Sequence, residues 1–324
     1  LAQIINVLYN MVDRMYIGHI PKVGPSALTG VGVTMPVIMA ISAFAALVSM
    51  GGAPRASIML GRGEHPKAEK ILGNCTVMLV IMAIILTAVF LIWGEPILMV
   101  FGASEATIGY ALDYMRIYAL GTIFVQLALG LNAFINAQGY AKIGMITVAI
   151  GALCNIVLDP IFIFGLDLGV KGAAFATVIS QFISALWTLR FLTGKKTILK
   201  IKKQYLSLKV KYVTKIISLG MAGFMMAITN SIVTIVCNAT LQQYGGDLYI
   251  AIMTIINSIR EVASLPGQGM ANACQPVLGF NYGAKEYARV LQGIKFVTLT
   301  ALSMMLIVWL AITVFPELFI KIFS

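Results

Sequence analysis

The stretch VMLVIMAIILTAVFLIW, residues 77–93, decides the fold. It carries no charge and is apolar on every face of a helix, so it belongs in hydrocarbon rather than on the surface of a soluble domain. A strand of a transmembrane barrel would alternate apolar and polar residues, which this stretch does not. A second run of the same kind, LTALSMMLIVWLAITV, occupies 299–314. Around them the chain of 324 residues is 60% hydrophobic and 11% charged, with a mean hydropathy of +0.93. That composition excludes a soluble enzyme, a disordered chain and a secreted disulfide scaffold. The expected fold is an all-α integral membrane bundle with nine spans, near 1–18, 27–60, 71–93, 107–138, 141–165, 169–193, 214–243, 247–282 and 290–314.

A net charge of +11 raises the question of where the basic residues sit. Sixteen fall in loops on one side of this topology: Arg62, Lys67 and Lys70, then Lys142, then nine between Arg190 and Lys215, then Lys285, Arg289 and Lys295. Only Lys22, Lys171 and Lys321 fall on the other side, and Arg14, Arg55, Arg116 and Arg260 lie within spans. The asymmetry makes the first side cytoplasmic, in an inner or plasma membrane. The charge thus reports topology and attraction to the inner leaflet, and no nucleic-acid partner is expected. Cys75, Cys154, Cys237 and Cys274 all fall within spans without metal-ligand spacing, so neither a disulfide nor a bound metal is expected. The chain opens at Leu1 inside an apolar run, which suggests that the first span lacks its start.

Sliding the sequence along itself by 220 residues aligns 27–98 with 247–318, pairing Gly63 with Gly283, Gly73 with Gly293 and Pro96 with Pro316. Six spans precede the basic stretch 194–213, so the second copy enters the membrane in the same orientation as the first. Such parallel repeats are related by an axis along the membrane normal. The expected organisation is an N-lobe of six spans at 1–193, a cytoplasmic linker at 194–213 and a partial C-lobe at 214–324, within a plan of two pseudo-symmetric six-helix lobes. Two lobes around a central cavity is a transporter plan.

The intramembrane polar residues carry the function. A charge near the bilayer centre costs about 2.5–3.5 kcal/mol on insertion scales, so each needs a partner, a wet cavity or neutralisation. Asp13 lies about five residues from the outer end of its span, roughly 8 Å deep. Asp159 and Thr177 lie about six and eight residues from the outer ends of the fifth and sixth spans, at similar depth, and Asn155 shares a helix face with Asp159. Pro160 cannot donate to the carbonyl of Ile156 and disfavours helical geometry at Asp159, so a bend with a free backbone acceptor is expected there. The combination suits a proton or a small cation; alternatively Asn155 and Asp159 only satisfy a kink. Glu261 falls near mid-membrane, where it would attract organic cations to a cavity or form an interhelical ion pair. Asp113 and Arg116, spaced i, i+3, are expected to neutralise each other. His19 and His65 fall in loops, and no HExxH, DDxxD or GxxxxGK[ST] occurs, so the chain is not expected to be an enzyme or to need a nucleotide.

The run Leu8-Tyr9-Asn10-Met11-Val12-Asp13 through Gly18, the segments Gly30-Val31-Gly32 and Gly51-Gly52-Ala53-Pro54-Arg55, and Asn155 through Asp159-Pro160 resemble the MATE (multidrug and toxic compound extrusion) transporters. Gly169 through Gly172 and Gln275-Pro276 through Asn281-Tyr282-Gly283-Ala284 add to the likeness, which spans the whole chain in the style of the bacterial DinF and MepA-like branch. The resemblance implies a twelve-helix, V-shaped, monomeric exporter of cationic, lipophilic drugs, driven by inward H+ or Na+ through alternating access. It implies a coupling-ion site at Asp13, Asn155, Asp159 and Thr177, with Na+ as a possible occupant and no other cofactor. It also implies that this cluster controls bending of the first helix; Pro160 is the expected hinge, and Asn10 and Glu261 are expected in the substrate cavity. Arg14, beside Asp13, departs from the family pattern. Membrane lipids are the other expected partners. A lipid or glycolipid flippase of the same superfamily is the alternative function, although it should line its cavity with several cations for phosphate.

Overall fold

The computed structural model describes the backbone of residues 2–21 and 23–314, with some side chains between residues 1 and 10 and between 227 and 265 outside the description. All regular structure among the described residues is helical. A short first helix α1 (Ala2–Gly18) leads to α2 (Gly24–Val33) and α3 (Met35–Gly61), then α4 (His65–Ile92) and the seven-residue α5 (Gly94–Val100). Next come α6 (Ile108–Leu120) and α7 (Thr122–Ala137), which meet at Gly121 with a bend of 57°. The fifth span is α8 (Ala141–Pro160), continued by a π-helical turn at Ile161–Gly165, and the sixth is α9 (Gly169–Thr193). After a stretch holding one 3-10 turn, α10 (Val210–Gly283) and α11 (Tyr287–Val314) complete the described chain. Prolines sit in the first turns of α2, α3 and α4, where the missing N–H costs nothing.

Among the described residues six helical stretches are long and apolar enough to cross a membrane, or seven when α6 and α7 count as one bent span. The expected nine is therefore not reached by length and composition: α1, at 17 residues, and the 247–282 region do not qualify. The loop expected near 244–246 is also absent, because helical winding runs through it. Yet α10 cannot be straight. The backbone of Ile216 packs on Gly51 and that of Phe280 on Gly61, two glycines only about 15 Å apart along α3, whereas a straight helix would separate Ile216 from Phe280 by about 96 Å. The helix doubles back between these contacts, so two antiparallel arms take the place of two spans.

The second arm crosses α3 near the cytoplasmic end, and the crossing corrects the repeat. Gly61 meets the carbonyl of Phe280, while Gly283 meets the carbonyl of Ile58. These contacts exchange under a shift of 222 residues, as they must across a two-fold axis. The same shift relates the turns that follow. Glu64 N donates to Met59 O with Gly63 at φ 74°, and Glu286 N donates to Asn281 O with Lys285 at φ 64°. It also pairs the in-helix prolines Pro54 and Pro276. The ungapped shift of 220 read from the sequence is thus two residues short here, and Gly283 serves close helix contact rather than the turn that Gly63 makes.

Two apolar cores support this frame. One joins α3, α4 and α7 to the inner ends of α9 and α10, and includes Leu72, Leu131, Phe134 and Leu199. The other joins α1, α2, the start of α3, the end of α4, α5, α6, the π turn and the start of α9, around Ile17, Ile41, Met115 and Ile163. Asp13, Asn155, Asp159 and Thr177 lie where α1, α8 and α9 meet.

Candidate functional site

Four side chains from three helices converge. α1 packs on α8 and α8 on α9, which brings Asp13, Asn155 with Asp159, and Thr177 to one place. All four are buried, with Asp159 0% and Asp13 7% exposed. Asn155 Nδ2 donates to Asp159 Oδ1 at 3.0 Å and lies 3.4 Å from Thr177 Oγ1, which itself donates to Ala173 O. The Asp13 and Asp159 carboxyls stand within hydrogen-bonding reach of each other. Two carboxylates accept and cannot donate, so that contact is a bond only when one oxygen carries a proton, or a bridge when a cation lies between. Asp13 Oδ1, Asp159 Oδ2 and Asn155 Oδ1 are buried acceptors with no donor among the described residues. Among the described residues neither aspartate takes part in an ion pair.

Arg14 does not change this. Its guanidinium is exposed and reaches Met35 Sδ at 3.5 Å, so its charge acts on Asp13 only at a distance. Pro160 behaves differently from expectation. α8 keeps helical geometry through Asp159 and Pro160, with φ −63° and ψ −30° at the proline, and then widens into a π turn closed by Leu166 N donating to Ile161 O at 2.8 Å. The wider winding takes up the ring without breaking the helix. Asp113 pairs with Lys171 at 3.5 Å rather than with Arg116, because the start of α9 packs beside α6. Asn10 lies on α1 and Glu261 on α10, but both side chains fall outside the described residues.

Sequence reasoning missed Tyr114. It is buried on α6, which packs on α9, and lies near both Thr177 and Asp13. Tyr118, one turn on, stacks with it at 6.1 Å and neighbours Tyr9 of α1. The i, i+4 pair of tyrosines in an otherwise apolar span was the available signal, since a buried hydroxyl needs a partner.

The cluster opens on a cavity of about 480 Å3 between α7, α8, α9 and the second arm of α10. Asn155 and Thr177 form part of its wall, with Tyr9, Asn132, Gln181 and Asn272. A neighbouring cavity of about 340 Å3 shares Asn132, Asn136, Asn272 and Pro276 and continues toward α3. Amides and hydroxyls supply the polarity. None of the described residues lining either cavity is charged.

Comparison with known proteins bears on this arrangement. The family model MatE matches residues 1–161 and 222–324, most of the chain. The chain belongs to the MatE family. It is 25% identical over 324 residues to the multidrug export protein MepA of Staphylococcus haemolyticus (strain JCSC1435), covering all of this chain and 71% of that protein. It is 24% identical over 286 residues to MepA of Staphylococcus aureus (strain MSSA476), covering 88% of this chain and 63% of that protein. This MatE chain thus spans about two thirds of the length of these relatives. Among solved structures it is similar to a MOP superfamily transporter from Pyrococcus furiosus, whose binding pocket is described as reversed in polarity and suggestive of a different function. That likeness has a TM-score of 0.91 at 25% identity, covering 100% of this chain and 71% of that one. A MATE crystal structure in the bent conformation matches with a TM-score of 0.87 at 26% identity, over 97% of this chain and 69% of that one. The fold and membership are therefore those of a multi-pass membrane transporter family.

Proposed function

We propose that this MatE chain carries the coupling site of a secondary antiporter that exports cationic, lipophilic compounds in exchange for inward H+ or Na+. The observation that carries the reading is the pairing of Asp13 and Asp159 in a buried place that supplies orphan oxygen acceptors and no fixed cation among the described residues. Carboxylate, amide and hydroxyl oxygens are hard donors, suited to a proton or to a hard cation. The printed name of the MepA relatives, multidrug export protein, supports the substrate class.

The coupling follows from shared walls. With the ion absent, two like charges face each other across α1 and α8 and favour their separation; a bound proton or Na+ removes that repulsion and draws the helices together. Asn155 and Thr177 belong to both the ion cluster and the cavity, so loading the ion reorients groups that a transported compound would touch. In a one-for-one exchange with a singly charged compound the membrane potential acts equally on both ions and cancels, so each pH unit, about 1.4 kcal/mol, supports roughly tenfold accumulation. No nucleotide is needed in this scheme. A lipid or glycolipid flippase would ask the cavity for lysines or arginines to hold phosphate, and the described lining offers amides and hydroxyls instead.

The test is dye efflux by the full-length protein in vesicles under separately imposed pH and sodium gradients. Asp159→Asn should abolish gradient-driven export of a cationic dye while leaving the protein folded. Unchanged efflux by that variant, or transport of a lipid-linked sugar in place of the dye, would overturn the proposal.

A further inference from the structure

The basic stretch between α9 and α10 is a built surface rather than a loose connection. Gln138 Oε1, at the end of α7, accepts from Thr197 Oγ1, Ile198 N and Leu199 N at 2.8, 2.8 and 2.9 Å. Tyr140 Oη donates to Lys196 O at 2.9 Å, and Leu199 is fully buried beneath. Farther along, Lys202 Nζ meets the buried carboxylate of Glu69 at 2.6 Å, the Lys70 ammonium stands over the Tyr205 ring at 5.7 Å, and Lys209 N donates to Asn74 Oδ1 at 2.8 Å. Gly73 lets the backbone of Tyr205 lie directly on α4. The strap is therefore pinned across the cytoplasmic ends of α4 and α7.

What it shows outward does not fit water alone. Residues 194–215 contain eight lysines and no acid, and Lys202 alone among those described is ion-paired. Beside them Ile198, Leu206, Leu208 and Val210 are exposed, Val210 to 78%. The backbone at Lys209 is extended, so Leu208 and Lys209 leave on different sides before α10 begins at Val210. A nucleic acid would use the lysines and leave the leucines wet. A bilayer interface takes both, apolar side chains toward the acyl boundary and lysines toward the headgroup phosphates.

The geometry points to the strap 198–211 as a docking surface for anionic phospholipid headgroups of the inner leaflet, with Lys203, Lys209 and Lys211 holding the phosphates and Leu206, Leu208 and Val210 resting in the interface. Charge complementarity commits the surface to this occupant. Because the strap is fixed to α4 and α7, an anionic lipid bound there adheres to the frame that also holds the first core, independently of the ion cluster on α1 and α8.

The test uses the full-length protein in detergent, titrated with phosphatidylglycerol and with phosphatidylcholine of the same chains, bound lipid being read by native mass spectrometry. Lys203→Gln, Lys209→Gln and Lys211→Gln retain every backbone bond described above. Each should lower phosphatidylglycerol affinity about fivefold, on the order of a hundredfold together if independent, with phosphatidylcholine binding unchanged. Leu208→Ala with Val210→Ala should weaken the same lipid while leaving the lysines in place. Lys67→Gln with Lys285→Gln, at other cytoplasmic turns, should have no comparable effect. Equal affinity for the two lipids, an unaffected triple variant, displacement of the lipid by inorganic phosphate at similar concentration, or tighter retention of a short RNA would each overturn the assignment. Dye efflux is not the readout, so this result stands or falls apart from the antiport proposal.

Discussion

Glu69 and Asp159 are both carboxyl groups buried among helices, exposed to 5% and 0%, yet their surroundings differ in kind. Glu69 has a cation, the Lys202 ammonium, and the pair ties the strap to α4. Asp159 has another acid, Asp13, with an amide and a hydroxyl nearby. A buried charge with a fixed counter-charge has one favoured state and serves as a fastening. One that faces a like group has its charge balanced only when a mobile ion arrives. The difference predicts which substitutions stop transport and which only loosen the frame.

The largest effect should come from Asp159→Asn or Asp13→Asn, either of which lowers gradient-driven efflux by at least about tenfold, and the double variant should be little worse, because the two act as a unit. Additive losses in vesicle efflux would separate the acids into independent sites. Next, Gly61→Leu should force α3 away from the second arm of α10, since even a Cβ at Gly61 meets the Phe280 carbonyl. Overpacking of this kind costs about 1–3 kcal/mol, to be read as a lowered melting temperature. The strap pair should show an asymmetry: Lys202→Met, which strands a buried carboxylate, should lower the melting temperature more than Glu69→Gln, which leaves an exposed lysine free in water. The Glu69 carboxylate raises Lys202 above its usual 10.5. A raised folded value means that the pair contributes fully below 10.5 and is lost only as pH climbs through the raised value. Hydrogen-exchange protection of residues 203–209, corrected for the base-catalysed intrinsic rate, should therefore stay unchanged through neutral pH and fall only at strongly alkaline pH. The smallest effect should be Tyr114→Phe, which removes a buried hydroxyl near Thr177 and Asp13 and should weaken ion binding by about fivefold, near 1 kcal/mol.

Much of the site could be read from the sequence because depth in a membrane is arithmetic. Counting residues from the outer ends of three spans placed Asp13, Asp159 and Thr177 at one level, and helix packing then brought those levels into contact. Tyr114 escaped that count because an aromatic in a span is usually core or lipid-facing, and only its hydroxyl marks it. The Asp113–Lys171 pair escaped because i, i+3 spacing offers Arg116 a chance that the neighbouring helix α9 takes instead. In the repeat, apolar residues match under several shifts, whereas Pro54 with Pro276 and Gly61 with Gly283 constrain the backbone itself and fix 222. The strap looked like a charge run because the partners that pin it, Glu69, Asn74 and Gln138, stand more than 50 residues away in sequence.

The most direct measurement is the count of ions released when a cationic dye binds the purified full-length protein, followed with a pH indicator in sodium-free buffer and with a sodium electrode in its presence. The account predicts release of a proton or a sodium ion by the wild type and none by Asp159→Asn. Equal release from the two proteins, or dye binding to the wild type with no ion released, would contradict it.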